Sequence, residues 1–147
     1  MDKKQKERAA RIIPNGKPRY IRCYDNGGTT ADRYTCVFTG NYNNIGKPKR
    51  QFRASNFWYV GMSDNPFHPQ GVGQHGESPR PIDRPTSSHL GKKIPYDKLS
   101  VHAQMLVMQD YLFLWNFTDG QGNWLGTNGK PIGNKFTFSN GAVDIPD

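Results

Sequence analysis

LSVHAQMLVMQDYLFLW, residues 99–115, is the stretch of this 147-residue chain that decides its fold. Apolar side chains recur along it at steps of three and four residues, which predicts an α-helix, and Ser100 is placed to cap the first turn. The recurring positions are Val101, Met105, Met108, Leu112 and Trp115. Because Asp110 is its only charged residue, the helix has little surface suited to water. We expect it to be either the core helix or a contact between subunits.

Upstream of this helix, residues 19–39 predict a β-hairpin. Residues 19–24 are rich in strand formers, DNGG at 25–28 is a strong turn signal, and DRYTCVFT at 32–39 alternates between two faces. Cys23 and Cys36 fall on these two strands. Two thiols make neither a disulfide framework nor a zinc site, so we expect reduced, half-buried strand residues. Pairing of the strands would also permit a cross-strand disulfide.

The other segments divide the chain into a core and two flanks. FWYVGM at 57–62 is a nearly continuous apolar run and predicts a buried central strand. Residues 63–95 are rich in Pro and Gly, and we expect an ordered loop there. The expected fold is α+β, a small antiparallel sheet of three to five strands packed on one main apolar helix. The expected units are a basic flexible arm at 1–18, a core domain at 19–115 and a Gly/Asn-rich hairpin or arm at 116–147.

Composition argues against several classes of protein. No apolar run approaches the ~20 residues that span a bilayer, and no apolar segment of a secretory signal follows the N-terminus. We therefore expect a cytoplasmic protein without a membrane partner. The aromatic content of 12% is too high for a disordered chain. No Walker-type loop or Gly-x-Ser-x-Gly motif occurs, and Gly71-Val72-Gly73 lacks the third glycine of a dinucleotide site, so no cofactor is expected.

Positive charge is concentrated in the first two thirds of the chain. Residues 1–96 contain 17 Lys and Arg against 7 Asp and Glu, whereas residues 97–147 contain 3 against 5. Residues 3–12 predict a short basic helix that Pro14 and Gly16 end, and it either orders on a partner or is a solvated leader. The asymmetry favours a surface for nucleic acid or another polyanion. Its candidate residues are Lys3, Lys4, Lys6, Arg8, Arg11, Lys47, Lys49, Arg50, Arg53, Arg80, Arg84, Lys92 and Lys93.

Imidazole and carboxylate groups are concentrated further along, between residues 64 and 89. These are the groups that a divalent metal or an acid–base pair requires. Their spacing matches no metal motif, and the plainer interpretation is that the histidines hydrogen-bond the backbone of an irregular loop. Catalysis is therefore the less favoured hypothesis. A metal-dependent phosphoesterase or nuclease would use Asp64, His68, His75, Glu77 and His89.

Several short motifs of residues 19–115 resemble small uncharacterised proteins encoded by bacteriophages and other mobile elements. The motifs are Asp32-Arg33-Tyr34-Thr35, Gly61-Met62-Ser63 with Pro66-Phe67-His68-Pro69-Gln70-Gly71, and Gly91-Lys92-Lys93-Ile94. The resemblance implies an origin in such an element. It brings no fold, activity or ligand with it.

We expect a non-enzymatic accessory protein that binds nucleic acid, largely without sequence preference, through the basic arm and the loop at 47–53. A second hypothesis is an anti-defence module that binds a host protein or a small anionic ligand in a pocket formed by residues 63–93. Its phosphate contacts would come from Arg80, Arg84, Lys92 and Lys93. The helix at 99–115 and the tail at 116–147 are the candidate contacts with a host protein or a second copy of the chain.

Overall fold

Two α-helices and ten strands follow one another in the part of the chain that the structure describes. The structure, a computed structural model, describes residues 1–29, 32–40, 57–63, 73–74, 80–82 and 90–147. The helices are α1 (Lys3–Ile12) and α2 (Val101–Leu114). The strands are β1 (Ile21–Asp25), β2 (Tyr34–Phe38), β3 (Phe57–Ser63), β4 (Gly73–Gln74), β5 (Arg80–Ile82), β6 (Lys92–Ile94), β7 (Asn123–Leu125), β8 (Pro131–Lys135), β9 (Phe138–Ser139) and β10 (Ala142–Val143).

The main sheet is antiparallel and has the order β4-β3-β2-β1-β6. β5 also pairs with β3, at the end opposite to β4, so the two short strands share the outer edge of β3. Packing of one main helix on an antiparallel sheet confirms the α+β prediction. Within the described ranges the sheet has six strands, more than the three to five expected, because the predicted loop at 63–95 supplies β4, β5 and β6.

The first hairpin is confirmed, with Cys23 directly opposite Cys36 in the β1–β2 register. The turn closes as its sequence predicts: the Asp25 carboxylate accepts a hydrogen bond from the Gly27 amide at 2.8 Å. Arg33 donates two further hydrogen bonds to Asp25, at 2.9 and 3.0 Å. Both cysteines are free thiols and are buried, not half-buried. Burial raises the pKa of the Cys36 thiol, which keeps it protonated.

β3 is an interior strand between β2 and the short strands β4 and β5, and β2 is the middle strand and is buried on both faces. The face of β2 that carries Cys36 packs, with the helices, into the main core. The opposite face packs Val37 with Tyr24 and Leu90. Since the sheet is covered on both sides, its interior strands have few positions for a functional side chain, and candidate sites lie around it.

α2 begins where Ser100 predicts, because the Ser100 hydroxyl accepts a hydrogen bond from the Ala103 amide at 3.2 Å. Three of the five predicted apolar positions, Met108, Leu112 and Trp115, are buried. Val101 is 68% exposed and Met105 is only partly buried, so the prediction of the buried face is correct in part. The buried residues of the helix are Ala103, Gln104, Val107, Met108, Tyr111, Leu112 and Leu114. When a helix is apolar on nearly every side, its sequence pattern does not identify the side that faces the sheet.

The N-terminal segment forms the predicted helix but is not a free arm. Ala9, Ile12 and Ile13 are almost fully buried and belong to the main core. The interpretation of residues 1–18 as a flexible leader misses this contact, because a marginal short helix gains stability once its apolar stripe is buried. Deleting this segment would open the core as well as remove charge.

The C-terminal segment is also part of the body. Of the two alternatives for this segment, a hairpin or an arm, the structure has a hairpin in which β7 pairs with β8 at Pro131–Lys135. Trp124, on β7, is completely buried and contacts Phe117 edge to face, with ring centroids 6.2 Å apart. Large aromatic side chains thus anchor the segment to the core.

Among the residues described, no helix has the length and apolarity needed to cross a membrane.

Candidate nucleic-acid interface

α1 has a buried stripe and a basic outer face. Gln5, Ala9 and Ile12 are buried and are spaced four and three residues apart, as one side of a helix requires. Glu7 is the only acidic residue on the exposed side of the helix. Within the described part of the chain, the exposed basic residues of α1 form no ion pair. They are Lys3, Lys4, Lys6 and Arg11.

Hydrogen bonds fix α1 to the rest of the protein along its length. At its start, the Asp2 carboxylate accepts hydrogen bonds from the Gln5 amide, at 2.9 Å, and from the Thr127 hydroxyl. These bonds lower the pKa of Asp2, so its cap stays ionised. One turn later, the Gln5 side chain donates to the Leu125 carbonyl at 3.1 Å. The basic face is therefore carried by a docked helix.

The end of α1 is held by one buried hydroxyl. Tyr111 of α2 donates a hydrogen bond to the Ile12 carbonyl at 2.6 Å. The same oxygen accepts from the backbone amides of Arg19 and Tyr20, both at 3.1 Å. Burial raises the pKa of Tyr111 to about 12, which keeps the hydroxyl neutral and able to donate. Three backbone groups thus meet on a single side chain, and two of them are also paired with each other, since the Arg19 amide donates to the Ile12 carbonyl at 3.3 Å.

Arg8 differs from the other basic residues of α1 because it turns inward. It is half-buried, its guanidinium lies 4.3 Å from the centre of the Phe117 ring, and it donates a hydrogen bond to the Trp115 carbonyl. This carbonyl lies at the carboxyl end of α2, where a cation is favourable. Burial, and then the nearby charge of Arg11, lower the pKa of Arg8. Arg8 therefore joins the two helices and does not belong to the outer face.

A cleft of about 780 Å³ opens beside Arg8, between α1, the end of α2 and the β7–β8 hairpin. Its walls are partly charged and partly apolar. The residues that line it include Arg8, Arg11, Phe113, Asn116, Asp119 and Leu125. Asn116 has a positive φ of 60°, a conformation that asparagine tolerates better than most residues and that is common just after a helix.

Asp119 is the one carboxylate among the residues that line this cleft. It accepts hydrogen bonds from the side chain and the backbone amide of Asn123, at 3.0 and 2.9 Å, and from the Gln121 amide at 2.9 Å. These hydrogen bonds, above all the one from the Asn123 side chain, lower the pKa of Asp119. The cleft therefore contains both positive and negative groups.

Lys92 and Lys93 lie on a different part of the surface. They are exposed on β6, the edge strand of the sheet, opposite Asp25 and Tyr24 of β1. The chain coming from α1 enters β1 at the other end, at Ile21, which is four residues or roughly 13 Å away along the strand. These lysines thus lie opposite the end of β1 that is farther from the entry of the chain coming from α1.

Arg80 is the first residue of β5. The remaining predicted site residues lie outside the described residues, so their proposed roles stay predictions. They are the basic residues Lys47, Lys49, Arg50, Arg53 and Arg84, and the proposed catalytic residues Asp64, His68, His75, Glu77 and His89. In the ranges that the structure does describe, no group of three or more His, Cys, Asp or Glu is placed to hold a metal ion.

Arg19 is a basic surface residue that the sequence analysis did not single out. Its side chain donates a hydrogen bond to the Arg11 carbonyl at 3.4 Å and lies 5.4 Å from the centre of the Tyr20 ring. It thus extends the basic face of α1 at its carboxyl end. In the sequence, only the positive charge of Arg19 indicated a role in binding. Its position beside α1 results from the course of the chain after Pro18.

No protein-family model, curated protein or solved structure matches this chain. The predicted origin in a bacteriophage or another mobile element therefore stays a prediction.

Proposed function

We propose that this protein binds nucleic acid, without sequence preference, through the outer face of α1. The observation that carries the proposal is the set of exposed cations on a docked helix, Lys3, Lys4, Lys6 and Arg11, with no carboxylate paired to them in the described part of the chain. Cations held in this way bind phosphates without first losing a salt bridge. The energy comes mainly from the release of counterions from the nucleic acid.

The dimensions of α1 fit this role. A helix of 10 residues is about 15 Å long, and phosphates follow one another at roughly 3.4 Å of rise along one strand of a duplex. The helix is therefore long enough for its four exposed cations to reach several phosphates of a nucleic-acid backbone. Contacts of this kind position a protein on the backbone and carry no base-sequence information.

The test is a charge-neutralising variant that leaves the fold intact. Lys3→Gln, Lys4→Gln and Lys6→Gln together remove three positive charges at exposed positions and keep good helix formers. The matched control, Lys98→Gln with Lys130→Gln and Lys135→Gln, removes three equally exposed charges from the C-terminal third. Circular dichroism verifies that both variants remain folded.

Binding is measured by fluorescence anisotropy on labelled single- and double-stranded oligonucleotides at several salt concentrations. For duplex DNA we expect the slope of log K against log salt to become shallower by about 2 to 3 in the α1 variant. The control should keep most of the wild-type slope. Equal slopes for all three proteins, or no salt-dependent binding by the wild type, would overturn the proposal.

A further variant separates the two basic surfaces. Lys92→Gln with Lys93→Gln neutralises the edge strand β6 and leaves α1 unchanged. We expect a smaller loss of affinity than in the α1 variant, because these lysines lie at the opposite end of β1. A larger loss would move the interface from α1 to the edge of the sheet and contradict the assignment made here.

A further inference from the structure

The cleft beside Arg8 has the size and the chemistry of a small-molecule site. Its volume of about 780 Å³ lies within the range of roughly 300–1,000 Å³ that is usual for ligand pockets. Phe113, Trp115, Leu125 and Pro131 contribute apolar wall, and polar groups lie between them. This is the usual composition of a pocket that holds a flat apolar body by its faces and fixes it with a few polar contacts.

Arg8 gives the cleft a charged floor with unused hydrogen-bonding capacity. A guanidinium has five N–H donors in a rigid fork, and in the part of the chain that is described Arg8 uses it for one hydrogen bond, to Trp115. No carboxylate forms an ion pair with it there. Arg11 lines the same cleft one turn further along α1. Two arginines of this kind are suited to a phosphate group, which a guanidinium can bind in a bidentate manner.

Other polar groups that line the cleft are suited to a sugar. A carboxylate has about four acceptor positions, and Asp119 uses three of them for Asn123 and Gln121. The fourth remains for a hydroxyl donor. Asn116 and Thr118 also line the cleft, and the Asn116 side chain forms no hydrogen bond within the described ranges.

We propose that this cleft binds a phosphorylated compound of mononucleotide size, with its phosphate on Arg8 and Arg11 and its sugar hydroxyls towards Asp119. The apolar walls then hold the base. The site shares Arg11 with the outer face of α1, whereas Lys3, Lys4 and Lys6 do not line it. It does not depend on the proposal of nucleic-acid binding.

The experiment titrates the ¹⁵N-labelled full chain with AMP, ribose 5-phosphate and adenosine, and follows the backbone amides by NMR. We expect AMP to shift the amides that line the cleft, notably those of Asn116, Gly126 and Gly129. Ribose 5-phosphate should shift a subset of them, since it has the phosphate and sugar without the base. Adenosine lacks the phosphate and should bind at least tenfold more weakly than AMP.

Asn116→Asp is the decisive variant because it is isosteric and keeps a residue type that tolerates positive φ. It adds a negative charge to the lining of the cleft that would hold the anionic ligand, and we expect the AMP affinity to fall about tenfold. Asn134→Asp makes the same charge change at an exposed position of β8 that does not line the cleft, and should bind AMP as the wild type does. Arg8→Gln is not used, since Arg8 also joins α1 to α2.

Three outcomes would overturn the proposal. The first is the absence of amide shifts at the cleft with either phosphorylated probe at about 10 mM, a concentration above the dissociation constants of most specific ligands. The second is equal affinity of AMP for Asn116→Asp and Asn134→Asp. The third is binding of adenosine as tight as that of AMP. The α1 variant should keep the wild-type AMP affinity, so failure of one proposal is distinguishable from failure of the other.

Discussion

Removing the hydroxyl of Tyr111 tests whether α1 is held to the body in the way that the structure describes. This oxygen makes three hydrogen bonds, to the Ile12 carbonyl and to the amides of Arg19 and Tyr20. A hydrogen bond of this kind contributes about 1 kcal/mol, so Tyr111→Phe should lower the free energy of unfolding by about 3 kcal/mol. That is a large fraction of the 5–15 kcal/mol that is usual for a whole domain.

The matched control is Tyr24→Phe. Tyr24 is also buried, but its hydroxyl forms no hydrogen bond in the described part of the chain. Tyr24→Phe therefore removes the same oxygen without removing a hydrogen bond, and we expect the free energy of unfolding to change by less than about 0.5 kcal/mol. Urea denaturation followed by circular dichroism measures both variants at pH 7, with the midpoint and the m-value fitted together.

Two results would refute this reasoning. If Tyr111→Phe unfolds within about 0.5 kcal/mol of the wild type, the three hydrogen bonds do not fix α1. If both variants lose the same amount, the effect comes from removing any buried hydroxyl and not from the contact with α1.

Three further outcomes follow from the structure. Gly16→Ala should destabilise the fold by several kcal/mol, because φ is +77° and an added Cβ would lie 2.3 Å from the Val143 carbonyl oxygen. Gly27→Ala is its control, because φ is similar at +74° but an added Cβ would meet nothing within 4 Å. It should cost only about 1 kcal/mol in the same urea assay. Trp124→Ala, at a completely buried ring, should cost about 3–5 kcal/mol and lower the calorimetric Tm. The pKa of Tyr111 is about 12 in the folded protein and about 10 in the unfolded chain. The hydroxyl therefore makes its full contribution to the free energy of unfolding below pH 10, and about 1.4 kcal/mol of this contribution should be lost by pH 11.

Each of these has a result that contradicts it. Equal losses in the two glycine variants would show that the close contact with β10 is absent. A Tm unchanged by Trp124→Ala would mean that the C-terminal hairpin is not part of the cooperative core. If the difference in free energy of unfolding between wild type and Tyr111→Phe stays constant from pH 8 to pH 11, the hydroxyl of Tyr111 does not titrate as a buried group.

Local signals in the sequence predict most of the elements. The turn at Asp25 to Gly28, the cap at Ser100 and the apolar run of β3 each depend on a few adjacent residues, and each is found where it was expected. These features are predictable because their physics is local: a carboxylate or hydroxyl satisfies an amide two or three residues away.

Contacts between distant segments were not predictable in the same way. The burial of α1 depends on its meeting α2 and β7, which are about 100 residues further along the chain. A short basic helix looks the same in sequence whether it is docked or free. The inward orientation of Arg8 has the same origin, because its position on the helix is between the buried stripe and the outer face.

The candidate site was predicted in part. Charge asymmetry made the lysines of α1 candidate binding residues, and the structure adds that a docked helix carries them. The cleft was not foreseen, since its lining residues come from three segments that are far apart in sequence and individually ordinary. Asn116 is an example: only its positive φ after α2 distinguishes it.

The most direct test of the central claim is to map where nucleic acid touches the protein. A ¹⁵N-labelled sample is titrated with a short duplex at low salt, and shifts of the backbone amides are assigned to residues. The account predicts that the largest shifts fall at the exposed positions of α1, from Lys3 to Arg11, and are reversed by added salt. Shifts confined to β6 and the β7–β8 hairpin, with α1 unchanged, would contradict it.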